Sequence, residues 1–188
     1  MKSSRGRYFE DFRLGETLVH GVPRTVTAGE RALCHALYPA RHAVQSSDPF
    51  ASACGLGRAP LDDLAVFHLV LGRTVADISL NAVANLGYAE GRWLAPVHAG
   101  DTLRAVSEII GLKQNSSGKT GIVWLRTTGL NQRDEAVLGY VRWVMVGKGD
   151  VAAPAAEAVL PELSARAAGG ELAIPAGRGD VGEGLGGG

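Results

Sequence analysis

The sequence APLDDLAVFHLVLGRTV, which runs from Ala59 to Val75, decides the fold of this chain. Nearly every residue after the Asp62–Asp63 pair is apolar, which predicts a helix that is buried on all sides. Pro60 suits the first helical turn, and the two carboxylates suit the positive end of the helix dipole. At about 1.5 Å per residue the helix is roughly 20–25 Å long, which is about the width of a small sheet. We expect a sheet to wrap around this central helix.

After the central helix, the spacing of apolar residues changes from the 3.6-residue repeat of a helix to the two-residue repeat of a strand. Short turns rich in Gly, Asn and Ser divide the following residues into strands. Four strands are predicted, at residues 78–88, 101–112, 120–130 and 136–146. Sequential strands joined by short turns favour an antiparallel meander.

Two shorter helices are predicted ahead of the central one. Thr27 and Glu30 form a capping box for an amphipathic helix that contains RALCHALY. Asp48 and Pro49 then open the segment DPFASACG, which Gly55 ends. The chain ahead of the sheet is therefore mostly helical.

From Val151 the chain is built mainly from Ala, Pro, Glu and Gly. Such a segment buries too little apolar surface to offset the entropy of ordering it. We therefore predict one α+β domain at residues 7–150, followed by a disordered C-terminal linker or tail at residues 151–188.

The composition narrows the range of functions. The 188 residues carry a net charge of +0, so no nucleic acid is expected as a partner. No stretch reaches the roughly 20 uncharged apolar residues of a membrane span. Cys34 and Cys54 lack metal-ligand spacing and predict free thiols in a reducing compartment, which favours the cytoplasm. No metal site is expected, because His20 and His35 lack a carboxylate or cysteine at ligand spacing. No nucleotide cofactor is expected either, because no phosphate-binding glycine motif follows a strand.

Several motifs resemble those of a known family. The runs PVHAGDTL at residues 96–103 and TGLNQRDEAVL at residues 128–138 are similar to the sheet of the MaoC-like enoyl-CoA hydratases, which have the hot-dog fold. RAPLDDL at residues 58–64 and ISLNAVANLGYAEGR at residues 78–92 resemble, more narrowly, the N-terminal half of the mesaconyl-CoA hydratase family, also called β-methylmalyl-CoA dehydratases. The resemblance covers residues 7–150.

This resemblance implies an antiparallel sheet around a central helix, and a lyase that adds water to an enoyl-CoA thioester without a metal or redox cofactor. Chains of the narrower family hold two hot-dog halves, and this one stops where the linker between them is expected. A single hot-dog sheet leaves edges that need covering, so we expect a homodimer or a partner hot-dog domain. The alternative function is a non-catalytic half that binds the CoA ester while a partner domain catalyses.

The family's acid and base lie in an Asp-x-Asn-Pro-x-His motif after the first helix, where this chain reads LYPARHAVQSSDPFA. His42 is the candidate base by residue type, because imidazole is the side chain that commonly serves as a general base near neutral pH. Asp48 is the nearest carboxylate and the candidate acid. The alternatives are a loop or interface histidine for His42 and a helix cap for Asp48.

Asp63 is a third candidate at the start of the central helix. The hydratases carry a His-Gly pair at this corner, whose backbone N–H faces the thioester oxygen, and Asp63 and Leu64 occupy those places here. Some hot-dog thioesterases use a carboxylate on this helix, so thioester hydrolysis is a rival activity. The simpler alternative is that Asp63 complements the helix dipole. His68, one turn further on, is expected to be a core histidine.

Four basic residues are candidates for contacting the CoA phosphates, since a hot-dog dimer binds that group on its surface. Each of them has the alternative of a solvated charge at a strand end or turn. They are Arg92, Arg104, Lys113 and Lys119.

Overall fold

The computed structural model describes residues 5–38 and 42–164, and in these ranges one six-stranded antiparallel sheet packs against helices. No helix of the described ranges is long and apolar enough to cross a membrane. A short 3-10 turn, Phe9–Asp11, precedes the sheet. The strands are β1 Thr17–Val19, β2 Arg24–Thr25, β3 Ala82–Trp93, β4 Thr102–Gln114, β5 Thr120–Leu130 and β6 Ala136–Gly147. The helices are α1 Ala28–Leu37, α2 Ala43–Ser46, α3 Asp48–Ala53 and α4 Asp63–Ile78.

The sheet order is β1-β4-β5-β6-β3, with β2 also paired to β4. The predicted meander is confirmed for β4, β5 and β6, but it is wrong for the first long strand. β3 pairs with β6, for example Tyr88 with Arg142, and not with β4. The physical reason is that β1 and β2 already occupy the free edge of β4, so that β3 can join the sheet only beyond β6.

The central helix α4 begins at Asp63, later than predicted, and Asp62 is its N-cap. Residues 59–61 belong to no helix or strand, and the Leu61 N–H donates to the Val97 carbonyl at 2.7 Å. One row of α4, spaced every four residues, is buried against the inner face of the sheet. It consists of Val66, Val70, Thr74 and Ile78.

The row packs closely because β5 offers glycine at the contact. A Cβ atom on Gly129 would lie 2.7 Å from Val70 Cγ2, which is closer than side-chain carbons approach. A larger residue at Gly129 would therefore push α4 away from the sheet.

The other faces of α4 are open. Leu64 is 63% exposed and Val75 is 40% exposed, and His68 is exposed between them. The predictions that this helix is buried on all sides, and that His68 is a core histidine, are therefore wrong for the described chain. A sheet covers a helix on one side only, and within residues 5–38 and 42–164 no second sheet covers the rest of α4.

A polar layer separates two apolar clusters of the core. His20 is 2% exposed, and its Nδ1 lies 2.6 Å from Asp77 Oδ2 on the last turn of α4. His20 Nε2 lies 2.9 Å from Ser107 Oγ, which is 2.8 Å from Thr127 Oγ1. This chain of hydrogen bonds fixes the end of β1 and the end of α4 to the sheet.

Part of the predicted tail lies against the sheet. Val159 and Leu112 exchange two backbone hydrogen bonds of 2.8 and 2.9 Å. The Ser164 N–H donates to Glu90 Oε1 at 2.9 Å. The chain therefore crosses the outer face of the sheet from β4 to β3. The rest of the predicted tail, residues 165–188, lies outside the described residues.

Candidate active site

A cleft of about 730 Å³ lies between α1, the residues that follow α1, and the first three turns of α4. Both helices contribute apolar side chains to its walls. The apolar lining residues are Leu33, Leu37, Leu64, Ala65 and Leu69. The polar lining residues are Arg24, Glu30, Cys34, Tyr38, His42, Asp62, His68 and Arg73. A mostly apolar cleft with a few converging polar groups is the usual form of a small-ligand site.

His42 is one of the residues that line this cleft, at the N-cap of α2. The capping box predicted for α1 is confirmed, because the Thr27 N–H donates to the Glu30 carboxylate at 2.5 Å. The box fixes the start of α1, and the chain after its C-terminus leads to His42 beside the first turn of α4.

Asp62 and Asp63 stand together at the N-terminus of α4. Asp62 Oδ1 accepts hydrogen bonds from the N–H groups of Leu64 at 2.9 Å and Ala65 at 3.3 Å. Burial raises the pKa of the Asp63 carboxyl group and the Asp62 carboxylate adds to this rise, while His42 partly offsets it. His42 and Asp63 are therefore electrostatic neighbours.

Of the predicted site residues, only His42 lines the cleft, and neither Asp63 nor Asp48 is among the lining residues. Asp48 Oδ1 accepts the Ala59 N–H at 3.0 Å and lies 3.1 Å from Arg31 Nη1. The hydrogen bond from Ala59 lowers the pKa of Asp48, and Arg31 lowers it further. The predicted helix cap is supplied by Ser47, whose Oγ accepts the Phe50 N–H at 3.3 Å. Asp48 thus ties α3 to the segment that leads into α4.

Sequence reasoning missed two residues of the cleft, His68 and Arg73. His68 was assigned to the core because the helix is so rich in apolar residues. Helical spacing is the signal that identifies both. His68 follows Leu64 by four residues, and Arg73 follows Leu69 by four, so each continues a row of α4 that faces the cleft.

The four predicted phosphate contacts do not form one patch. Arg104 Nη2 lies 2.6 Å from Asp134 Oδ1, and Lys113 lies nine residues further along β4, about 30 Å away. Lys119 belongs to the turn between β4 and β5, near the Lys113 end. Arg92 lines a smaller pocket of about 310 Å³ on the outer face of the sheet.

The fold is that of known hot-dog proteins. A double hot-dog protein from Mycobacterium tuberculosis superposes with a TM-score of 0.70 at 26% identity, over 77% of this chain and 45% of that one. A MaoC domain protein from Chloroflexus aurantiacus superposes with a TM-score of 0.84 at 58% identity, over 87% of this chain and 46% of that one. The predicted class, a MaoC-like hot-dog domain, is confirmed.

The sequence profile of the mesaconyl-CoA hydratase family matches residues 2–173, and the chain belongs to that family. Mesaconyl-CoA hydratase of Cereibacter sphaeroides is 68% identical over 177 residues, which cover 94% of this chain and 52% of that protein. Beta-methylmalyl-CoA dehydratase of Chloroflexus aurantiacus is 59% identical over 162 residues, which cover 86% of this chain and 46% of that protein. The chain spans about half the length of these curated relatives.

Proposed function

We propose that this chain is the acyl-CoA-binding hot-dog domain of a hydro-lyase that hydrates mesaconyl-CoA and, in reverse, dehydrates β-methylmalyl-CoA. The observation that carries the proposal is the apolar cleft along α4, which holds His42 and His68 beside the helix N-terminus. The names of the relatives agree with this reaction.

Hydration of an enoyl-CoA ester needs a base and a proton donor. The base takes a proton from water, the water oxygen bonds to the β-carbon, and the electron pair of the double bond shifts toward the thioester carbonyl. A proton then reaches the α-carbon. The addition changes no oxidation state overall, so it requires no redox cofactor. An imidazole with a pKa near neutrality suits the first step.

We assign His42 as this base and Asp63 as its carboxyl partner. The two groups are close enough for His42 to influence the pKa of Asp63. Burial and the Asp62 carboxylate raise the pKa of Asp63, which is the direction that suits a proton donor. Asp48 has the anchoring role instead, because its carboxylate is engaged by Ala59 and Arg31.

A second candidate function is favoured by the N-cap of α4. Asp62 engages the N–H groups of Leu64 and Ala65, which are the helix donors nearest to this corner. A thioester oxygen placed here would need donors from another segment. In that case the chain holds the acyl-CoA ester, and a partner hot-dog domain supplies the catalytic groups.

The edge strand β3 supports a homodimer or a partner hot-dog domain. Its outer edge is unpaired in the described sheet, and it carries the exposed side chains of Val83 and Trp93, which are 64% and 44% exposed. An unpaired edge with apolar side chains is a surface that a second sheet covers. The cytoplasmic location stays a prediction, with which the free thiols of Cys34 and Cys54 agree.

The test is to mix the purified chain with mesaconyl-CoA and to follow the loss of enoyl-thioester absorbance, with crotonyl-CoA alongside. Turnover that His42→Ala abolishes, at an unchanged melting temperature, supports the catalytic proposal. An unaffected rate in His42→Ala removes His42 as the base. Binding of the ester without turnover supports the second candidate. The absence of both binding and turnover would contradict the proposed function.

The rival reaction, thioester hydrolysis at Asp63, has a separate readout. Hydrolysis releases free CoA thiol, which a thiol reagent detects. If thiol appears and Asp63→Asn stops its release, the chain is a thioesterase. If no thiol appears while the enoyl absorbance falls, the hydratase assignment stands.

A further inference from the structure

Arg73 is the cation of the cleft that has no ion-pair partner within residues 5–38 and 42–164. Its side chain lines the cleft from the third turn of α4, and its Nε atom is buried without a hydrogen-bond partner among the described residues. Those residues also place no carboxylate within 4 Å of it. A guanidinium group is always charged and offers five N–H donors, so a partly buried one without an anion is costly.

The other charged groups of the cleft already have partners. Arg24 Nη2 lies 2.5 Å from Glu30 Oε1, which neutralises both charges. Asp62 is engaged as the N-cap of α4. Asp77, one helical turn beyond Arg73, is held at 2.6 Å by His20 on β1. Among the described residues that line the cleft, one positive charge therefore stays uncompensated, and it lies at Arg73.

The position of this charge relative to His42 and Asp63 limits what it can bind. Ten residues, or about 15 Å of helix, separate Arg73 from Asp63. Side chains of an α-helix lean toward its N-terminus, so an extended Arg73 side chain reaches toward His68 and the Asp63 end. An anion on Arg73 would thus lie in the same cleft as His42, on the side of Arg73 that faces His68.

We propose that the Arg73 guanidinium binds the free carboxylate of a dicarboxylic acyl-CoA ester and so makes this cleft prefer dicarboxylic over monocarboxylic acyl groups. One guanidinium matches one carboxylate in charge and in bidentate geometry. The apolar walls at Leu33, Leu37 and Leu69 suit the carbon chain beside that carboxylate. This inference rests on the proposed function, because it assumes that the ester enters this cleft.

The test compares two esters that differ in the carboxylate. Dissociation constants of mesaconyl-CoA and crotonyl-CoA are measured by calorimetry for the full chain, Arg73→Met, Arg73→Lys and Arg126→Met. Arg126 is the matched control, because it lies on the outer face of the sheet and pairs with Glu90 at 3.4 Å. Melting temperatures and circular dichroism check that each variant is folded.

We expect Arg73→Met to weaken mesaconyl-CoA binding by about 10- to 100-fold, as for the loss of a charged hydrogen-bonded pair, and to leave crotonyl-CoA unchanged. Arg73→Lys should keep part of the affinity, and Arg126→Met should keep all of it. An equal loss for both esters would assign Arg73 to the shared CoA group and overturn the inference. No loss for either ester would overturn it as well.

A second arm separates the inference from the proposed function. Free mesaconate and the uncharged amide crotonamide are titrated while the Arg73 Nε–H resonance is followed by NMR, with Arg73→Met used to assign it. A shift with mesaconate alone supports the carboxylate site even if neither CoA ester binds, in which case only the proposed function fails. If mesaconate causes no shift and neither ester binds, both fail.

Discussion

The two sides of α4 differ in how much of their surface is exposed. The side toward the sheet is a row of residues with almost no exposed surface, including Val70 and Ile78 at 0% exposure. The side toward α1 carries Leu64, His68 and Arg73 and borders the cleft. The first side is fixed by close packing against the sheet, down to the glycine opposite Val70.

This difference separates stability from function along a single helix. Substitutions in the buried row change the free energy of unfolding, and they affect ligand binding only indirectly. Residues of the open side make few packing contacts, so their side chains are available to contact a ligand. The apolar character of the whole segment hides this division in the sequence, because a leucine in a cleft and a valine in a core look alike.

The largest expected effect is on the buried row. Ile78→Ala should lower the free energy of unfolding by about 2–5 kcal/mol, since it leaves a cavity between α4 and the sheet. Leu64→Ala, on the exposed side, should change it by less than about 0.5 kcal/mol. Denaturant titrations of both variants measure this, and equal losses would refute the distinction between the two sides.

An intermediate effect on the free energy of unfolding is expected at Asp62, the N-cap of α4. Asp62→Ala removes the acceptor for the N–H groups of Leu64 and Ala65, and should cost about 0.5–2 kcal/mol of stability. Asp63→Ala is the matched control, since its carboxylate accepts neither bond. A similar loss of stability in both variants would contradict the assignment of Asp62 as the cap.

A smaller, pH-dependent effect is expected at Asp48, outside the cleft. Its pKa is lowered in the folded state, so its charge stabilises the fold above the unfolded pKa, and this contribution is lost as the pH falls through the folded pKa. Asp48→Asn should therefore melt at a lower temperature than the parent chain at pH 7. The gap should close on acidification, and a gap independent of pH would speak against the contacts with Arg31 and Ala59.

The smallest effect, of opposite sign, is expected at Asp63. Its pKa is raised in the folded state, so stability falls as the pH rises from the unfolded pKa through the folded one. Asp63→Asn should melt slightly higher than the parent chain at pH 7 and no higher at pH values below the unfolded pKa. A lower melting temperature at pH 7 would show that the dipole of α4 outweighs the burial of this carboxyl group.

Local signals in the sequence predicted most of the elements. The capping box of α1, the apolar segment of α4 and the alternation in β4 to β6 are all read within one element, and each is confirmed. The pairing of β3 with β6 is not local, because it depends on β1 and β2 occupying the other edge of β4. Three-residue and two-residue strands carry too little pattern to reveal this in advance.

The site was predictable in part. His42 could be proposed from its residue type and its place after α1, and it does line the cleft. The role of Asp48 depends on Ala59 and Arg31, which lie 11 and 17 residues away in the chain and meet it only in the fold. Arg73 could not be identified as unpaired from sequence, since that property depends on which carboxylates the fold brings near.

The central claim is that an acyl-CoA ester binds on the open side of α4. The most direct measurement is the map of backbone amide shifts when mesaconyl-CoA is added to the isotope-labelled chain. Binding in the cleft predicts that the largest shifts fall on His42, His68 and Leu69. Shifts confined to the outer face of the sheet, around Arg92 and Arg126, would contradict it.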